Sequence, residues 1–257
     1  MADTNRRKLL TRLTIGASAA FLAGCDKISQ SAAGSDFLKK GSDLAYKVQR
    51  LLAGRNALVP EFSVADIAPV FRANGTLNPG TADYNAHATN DFRDWRIKVG
   101  GLVEHPFEVS MADLRAMPAR TQITRHDCVE GWSCIGQWTG APLRPILARA
   151  KPKENARYVL FHCADNMSSD ANDQQLYYET LDLVEATHPQ TILAYDLNGK
   201  PLPIANGAPV RLRAERQLGY KMAKYVNGIE LVESFANIRG GNGGYWEDQG
   251  YTWWAGI

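Results

Sequence analysis

The sequence runs Arg125-His126-Asp127-Cys128-Val129-Glu130-Gly131-Trp132-Ser133 and, after four intervening residues, Trp138-Thr139-Gly140-Ala141-Pro142-Leu143. Common chemistries can be tested against it. A nucleophile elbow needs Gly-x-Ser-x-Gly, but Gly131-Trp132-Ser133-Cys134 is followed by Ile135. Cys128 and Cys134 stand six apart, too wide for the usual paired zinc cysteines. The chain has neither His-Glu-x-x-His nor Cys-x-x-Cys-His, so a zinc-peptidase helix and an attached c-type haem are excluded. What remains is a cysteine flanked by charge and followed by aromatics and glycine. A thiolate suits metals that take sulfur, and Arg125 and His126 stand beside Cys128 to hold it deprotonated. The competing reading is a small buried hydrophobe. These residues alone leave both readings open.

Further blocks follow. They are His188-Pro189, Leu193-Ala194-Tyr195, Asn198-Gly199-Lys200-Pro201-Leu202-Pro203 and Asn206-Gly207-Ala208-Pro209-Val210-Arg211-Leu212, then Gly219-Tyr220-Lys221-Met222-Ala223-Lys224. In this order they resemble the sulfite oxidase family, over about residues 90–233. The resemblance implies a mononuclear molybdenum held by a pterin dithiolene, with Cys128 as the protein's metal ligand. It places cofactor contacts at Asn206, Arg211 and the run Met222, Ala223, Lys224, with a further contact at Cys163 and an N-terminal one at Arg72 or Asn74. Arg211 and Lys224 have a chemical reason to be there, because the pterin bears a phosphate that needs cationic partners.

Two positions bear on the direction of the reaction. Val129-Glu130 follows the metal cysteine where animal and plant sulfite oxidases have small residues, and Lys221 stands where they have arginine. A carboxylate near the metal repels sulfite and is suited to relaying protons. In both respects the chain is more similar to the methionine-sulfoxide reductase type of catalytic subunit. The resemblance thus implies oxygen-atom transfer at a sulfur or nitrogen centre, in the direction of a sulfoxide reductase, on a small-molecule oxo donor or acceptor. Glu130 and Lys221 are the candidates for proton transfer or substrate orientation. With no haem motif, electrons must come from a separate redox partner, a haem membrane protein or a cytochrome. The rivals are a sulfite dehydrogenase of the same family, a zinc or thiol hydrolase using Cys128 with His126 or His162, and a non-catalytic lipoprotein.

The N-terminus reads as an address. Asn5-Arg6-Arg7-Lys8-Leu9-Leu10 matches a twin-arginine export signal. Leu22-Ala23-Gly24-Cys25 resembles a lipobox, so Cys25 is the expected lipidation site. These features point to the periplasm and a lipid anchor at the inner membrane. The domain boundaries expected are a signal over 1–24, a tether and helix over 25–55, the oxidoreductase domain over 56–238 and a glycine-aromatic arm over 239–257. The arm either packs on its own domain or docks a partner.

The 257 residues carry 29 basic and 27 acidic side chains, and 45% of them are hydrophobic. That composition excludes a disordered tail and a multispanning membrane protein. A net charge of +2 gives no case for nucleic acid. Residues 1–24 hold four basic residues and one acidic residue, leaving 25 basic against 26 acidic, a net of −1. The basic excess belongs to the address. Apolar residues at 37, 38, 44, 48, 51 and 52 make a partial helical stripe. Residues 54–90 read as a long irregular stretch. Trp95, Ile97 and Val99 alternate before Gly100-Gly101, which suggests a hairpin. Ser110 with Asp113 starts a short helix. Strands are expected at 158–163, 192–197, 209–213 and 229–232, with a helical turn at 181–186. Without strict βαβ alternation the class is α+β with mixed sheets and short helices.

Overall fold

The computed structural model describes residues 31–168 and 174–257. The export signal and Cys25 lie outside the described residues. The chain divides into two units with the break between Leu52 and Ala53. In the first, helix α1 spans Ala32–Ala53, where the apolar stripe predicts it.

The second unit holds two five-stranded sheets. One contains β1 (Arg96–Gly101), β2 (Phe107–Ser110), β5 (Tyr158–Asn166), β6 (Leu176–Asp182) and β10 (Val226–Val232). Its order is β2-β1-β10-β5-β6, with only β1 and β10 parallel. The other contains β3 (Arg120–Asp127), β4 (Ser133–Pro142), β7 (Ile192–Leu197), β8 (Lys200–Pro201) and β9 (Arg211–Arg213), ordered β3-β4-β7-β8 with β9 also on β7. Short helices α3 (Met111–Ala116), α4 (Leu143–Ala150), α5 (Leu183–Ala186) and α6 (Tyr245–Asp248) connect or cover them. The α+β class with mixed sheets is therefore observed.

Local sequence explains most of this. The expected hairpin forms between β1 and β2, with Ile97 and Val99 buried on alternate positions. Ser110 and Asp113 close a reciprocal capping box on α3. Asn198 and Gly199, both at positive φ, turn the chain from β7 into β8. Asp182 caps α5, so the turn expected from residue 181 begins at Leu183, and Leu181 stays in β6.

The stretch 54–90 holds more order than its composition suggests. Helix α2 spans Ala82–Thr89, capped by the Thr81 hydroxyl. It has no apolar stripe to reveal it and a single buried anchor, Tyr84, whose hydroxyl donates to the Ala208 carbonyl at 2.6 Å. The β3–β4 hairpin matters most for function. Its alternation buries Gln122, Thr124 and His126 on β3, and Cys134, Gly136 and Trp138 on β4. Between the strands, the Cys128 amide donates to the Trp132 carbonyl (2.9 Å) and the Gly131 amide to the Cys128 carbonyl (3.0 Å).

The C-terminal arm packs on its own domain. Gly244 bridges to Glu179 and Gly256 to Gln217. The Trp253 indole donates to Thr180 at 2.8 Å, and Trp246 stacks on Tyr251 at 5.3 Å.

Candidate active site

Cys128 sits half-buried in the β3–β4 loop and lines a cavity. Around it stand Val129 and Glu130 from the same loop, Asn74 and Thr76, Asp165 and Met167 at the end of β5, Tyr177, Tyr220, Met222 and Lys224, and Trp246 and Tyr251 from the arm. Burial pushes the thiol pKa up, and the Glu130 charge adds to that; the backbone N–H groups of Glu130 and Val129 and the Arg72 cation oppose it.

The expectation that Arg125 and His126 hold the thiolate is corrected. On a strand, neighbours point to opposite faces. Arg125 is turned outward and pairs with Asp127 at 2.9 Å. His126 is fully buried and accepts from Arg213 at Nδ1 (2.8 Å). Burial, then the charges of Arg213, Arg211 and Lys224, hold its pKa well below the ordinary value, so it is neutral with its proton on Nε2. It therefore carries no charge to hold Cys128 as a thiolate. His162 pairs with Glu230 on the other sheet, at 2.9 Å. Neither histidine completes a cysteine–histidine pair.

A basic wall lies behind the cavity. Arg211 is 0% exposed, and its guanidinium donates to the carbonyls of Asn206 (3.0 Å) and Met222 (3.1 Å). Burial and the neighbouring Arg213 press against its charge. Among the described residues no carboxylate lies within ion-pair distance of it, whereas Arg213 is neutralised by Glu215 at 2.7 Å. Lys224 donates to the carbonyls of Asn74 (2.8 Å), Ala205 (3.0 Å) and Thr76. Burial and Arg211 lower its pKa to about 7. Gly207, at φ 111°, lets the chain pass between these two side chains; a Cβ there would meet Lys224 at 3.0 Å and Arg211 at 3.1 Å. The Arg211 Nε, the Asn206 amide nitrogen, the His126 Nε2 and the Asn74 and Asp165 Oδ1 atoms are buried without partners.

The remaining candidates are dispersed. Arg72 is at the rim, stacked over Trp132 (4.9 Å) and 3.9 Å from Glu130. Glu130 also accepts from the Trp132 indole at 2.9 Å. Cys163 is buried in the core on β5, and Ala223 is buried beside Met222; neither lines the cavity. Lys221 does not line it either. Its ammonium is enclosed by Glu179 and Glu247, all three side chains at most 1% exposed. Sequence reasoning missed Asp165, Tyr177, Trp246 and Tyr251. Of these, only the arm aromatics left a signal, their density after the glycine run.

The sequence profile of the oxidoreductase molybdopterin-binding domain matches residues 84–237. The chain belongs to this family. A relative from Azospira oryzae, provisionally named protein-methionine-sulfoxide reductase subunit YedZ1, is 36% identical over 76% of this chain and 70% of its own. The protein-methionine-sulfoxide reductase catalytic subunit MsrP of Xanthomonas axonopodis pv. citri is 40% identical over 54% of this chain, and the chain spans 45% of that relative. The sulfane dehydrogenase SoxCD of Paracoccus pantotrophus superposes with a TM-score of 0.49 at 21% identity, over 58% of this chain and 40% of that one.

The residues fit a molybdenum–pterin cofactor. A buried, unneutralised arginine next to orphaned amide and guanidinium nitrogens asks for an anion with several acceptor oxygens. Asn206, Arg211 and Lys224 would hold the pterin and its phosphate, and Cys128 would supply the sulfur ligand. Removing the Arg211 charge separates its two effects. An Arg211→Met chain is expected to lose cofactor content on the order of tenfold or more. Its metal-free stability is expected to stay within about 1–2 kcal/mol, because the relief of a buried charge offsets two carbonyls left without donors. Metal analysis and denaturant unfolding check the two halves. Gly219 tests the packing beneath the site. A Cβ there would lie 2.4 Å from His126 Nε2, so Gly219→Ala is expected to cost about 1–3 kcal/mol by overpacking, seen as a fall of several degrees in Tm.

Proposed function

We propose that the chain is a sulfoxide-type reductase, moving an oxygen atom from a sulfur centre to water. The observation that carries this is the charge of the cavity at Cys128. Its lining includes two acidic groups, Glu130 and Asp165, and its lysine, Lys224, is assigned to the cofactor's phosphate rather than to substrate. A doubly charged anion such as sulfite is disfavoured there. A neutral sulfoxide is not, and Met167, Trp246 and Tyr251 offer it soft, aromatic walls. The names of the two relatives support the same reading.

The reaction consumes two electrons and two protons: the sulfoxide loses its oxygen and becomes the thioether, and that oxygen leaves as water. The bound molybdenum supplies the two-electron chemistry. Asp165 suits the proton side, because burial raises its carboxyl pKa and its Oδ1 has no partner. Glu130, at the exposed rim, connects that region to solvent. Trp246 and Tyr251 shape where the sulfur sits. Lys221 acts on the arm rather than on substrate. Electrons come from a separate redox partner, a haem membrane protein or a cytochrome. The protein works in the periplasm, reached by the twin-arginine route and held at the inner membrane by lipid on Cys25.

Steady-state assays of the loaded enzyme test this: methionine sulfoxide with a reduced viologen dye as donor, and sulfite with ferricyanide as acceptor. Turnover of the sulfoxide is expected. Turnover of sulfite alone would reverse the assignment.

A further inference from the structure

In α1, Phe37, Leu44, Val48, Leu51 and Leu52 are exposed, at 76, 62, 43, 83 and 80%. At about 100° per residue these five fall within an arc of about 100°. Lys40 and Lys47, also exposed, run along one border of that arc. Tyr46 and Arg50, stacked at 5.2 Å, lie on the opposite side of the helix. Over the whole helix the sequence places four basic residues against two acidic ones.

An apolar stripe with lysines at its edge and polar residues behind it is suited to a lipid–water interface. The lysine stems lie along the apolar surface while their ammonium groups reach the headgroups. Position favours the same occupant. Ala32 lies seven positions after Cys25, a span of at most about 25 Å, so lipid on Cys25 keeps the first turn of α1 within that distance of the bilayer.

We infer that α1 lies along an anionic bilayer surface with Phe37, Leu44, Val48 and Leu51 buried in it, as a second membrane contact beside the anchor. This takes its placement from the anchoring proposed above, but the binding itself belongs to the helix. Two weak contacts on one chain combine at high effective concentration, and each basic residue near the surface strengthens the attraction for anionic lipid by about fivefold.

Amide hydrogen exchange of the full chain, read on peptides covering 37–52, tests it locally and is insensitive to insertion of residues 1–24. The chain is mixed with vesicles of phosphatidylcholine and phosphatidylglycerol, or of phosphatidylcholine alone. Exchange is expected to slow on the order of tenfold or more on the anionic vesicles. It should not slow in a Leu44→Glu/Leu51→Glu chain, whose changes lie at exposed positions. Lys40→Glu/Lys47→Glu should weaken binding to the anionic vesicles by about tenfold or more. Equal slowing in the Leu44→Glu/Leu51→Glu chain, no slowing in either chain, or protection that appears without vesicles and grows with protein concentration would overturn the inference; the last would assign the stripe to a second copy. Mass analysis of the N-terminal peptide from cell membranes reads the anchor separately. Protection on vesicles with no lipid on Cys25 would sink the anchoring alone.

Discussion

A Cys128→Ser chain is expected to keep its fold and lose oxygen-atom transfer by about a thousandfold or more, roughly 4 kcal/mol of transition-state stabilisation. Sγ lies in a tight loop, approached by the N–H groups of Val129 and Glu130. A serine fits that loop without a clash, so loss of activity is not loss of structure. The chemistry differs: a hydroxyl oxygen is a hard, weakly acidic ligand, and a thiolate is a soft one. Cofactor retention separates the ligand role from the cradle. Asn206, Arg211 and Lys224 are untouched, so metal and pterin content should fall far less than turnover. Metal analysis beside kcat/KM for methionine sulfoxide checks both. Activity within tenfold of the parent chain would show that Cys128 is not the ligand.

How far the site could be read in advance depended on where its parts lie in the chain. Cys128, Asn206, Arg211 and Lys224 stand in short ordered blocks, and the fold brings all four to one cavity or just behind its wall. Arg125 and His126 were misjudged because proximity in sequence is not proximity on a strand: β3 turns one outward and the other inward. Lys221 was legible as a position but not as a role. Its partners Glu179 and Glu247 are 42 and 26 residues away, and nothing local says which way a lysine in a short turn points. The arm aromatics follow no period, so only tertiary packing reveals that Trp246 and Tyr251 line the same cavity as Cys128. The strands expected at 158–163 and 192–197 were plain because each is a mostly apolar run, the second stopped by Asn198-Gly199. Helix α2 was hidden because one tyrosine, not a stripe, holds it.

The buried cage around Lys221 should give the largest stability effect. Lys221→Met leaves two carboxylates without a cation in a fully buried site, and breaking such a set costs about 3–5 kcal/mol. Glu247 belongs to α6 and is followed by the arm that carries Tyr251 and Trp253, so the loss should be read first as faster hydrogen exchange over 240–257. Neutralising the whole cage, Lys221→Met with Glu179→Gln and Glu247→Gln, should recover most of it, because no bare charge then remains. If the single and triple variants unfold alike, the unpaired charge in the cage is not the cause of the loss. The pH dependence gives an independent reading. Burial, then the Glu247 charge, raises the Glu179 pKa well above its ordinary 4.5, with Lys221 opposing. A carboxyl raised in the folded state binds its proton more tightly there than in the unfolded chain. Its stabilising contribution is therefore full below pH 4.5 and is lost as pH rises through the raised value. Burial works against the Lys221 charge, but the two carboxylates outweigh it and its pKa is raised, so its own contribution is lost only at more alkaline pH. Glu247→Gln removes the main electrostatic source of the Glu179 shift and leaves one lysine facing one carboxylate. Its stability should therefore fall less steeply with rising pH above 4.5 than that of the parent chain, as measured by denaturant midpoints across the pH range. Parallel curves for the two chains would show that Glu179 does not carry this pH dependence.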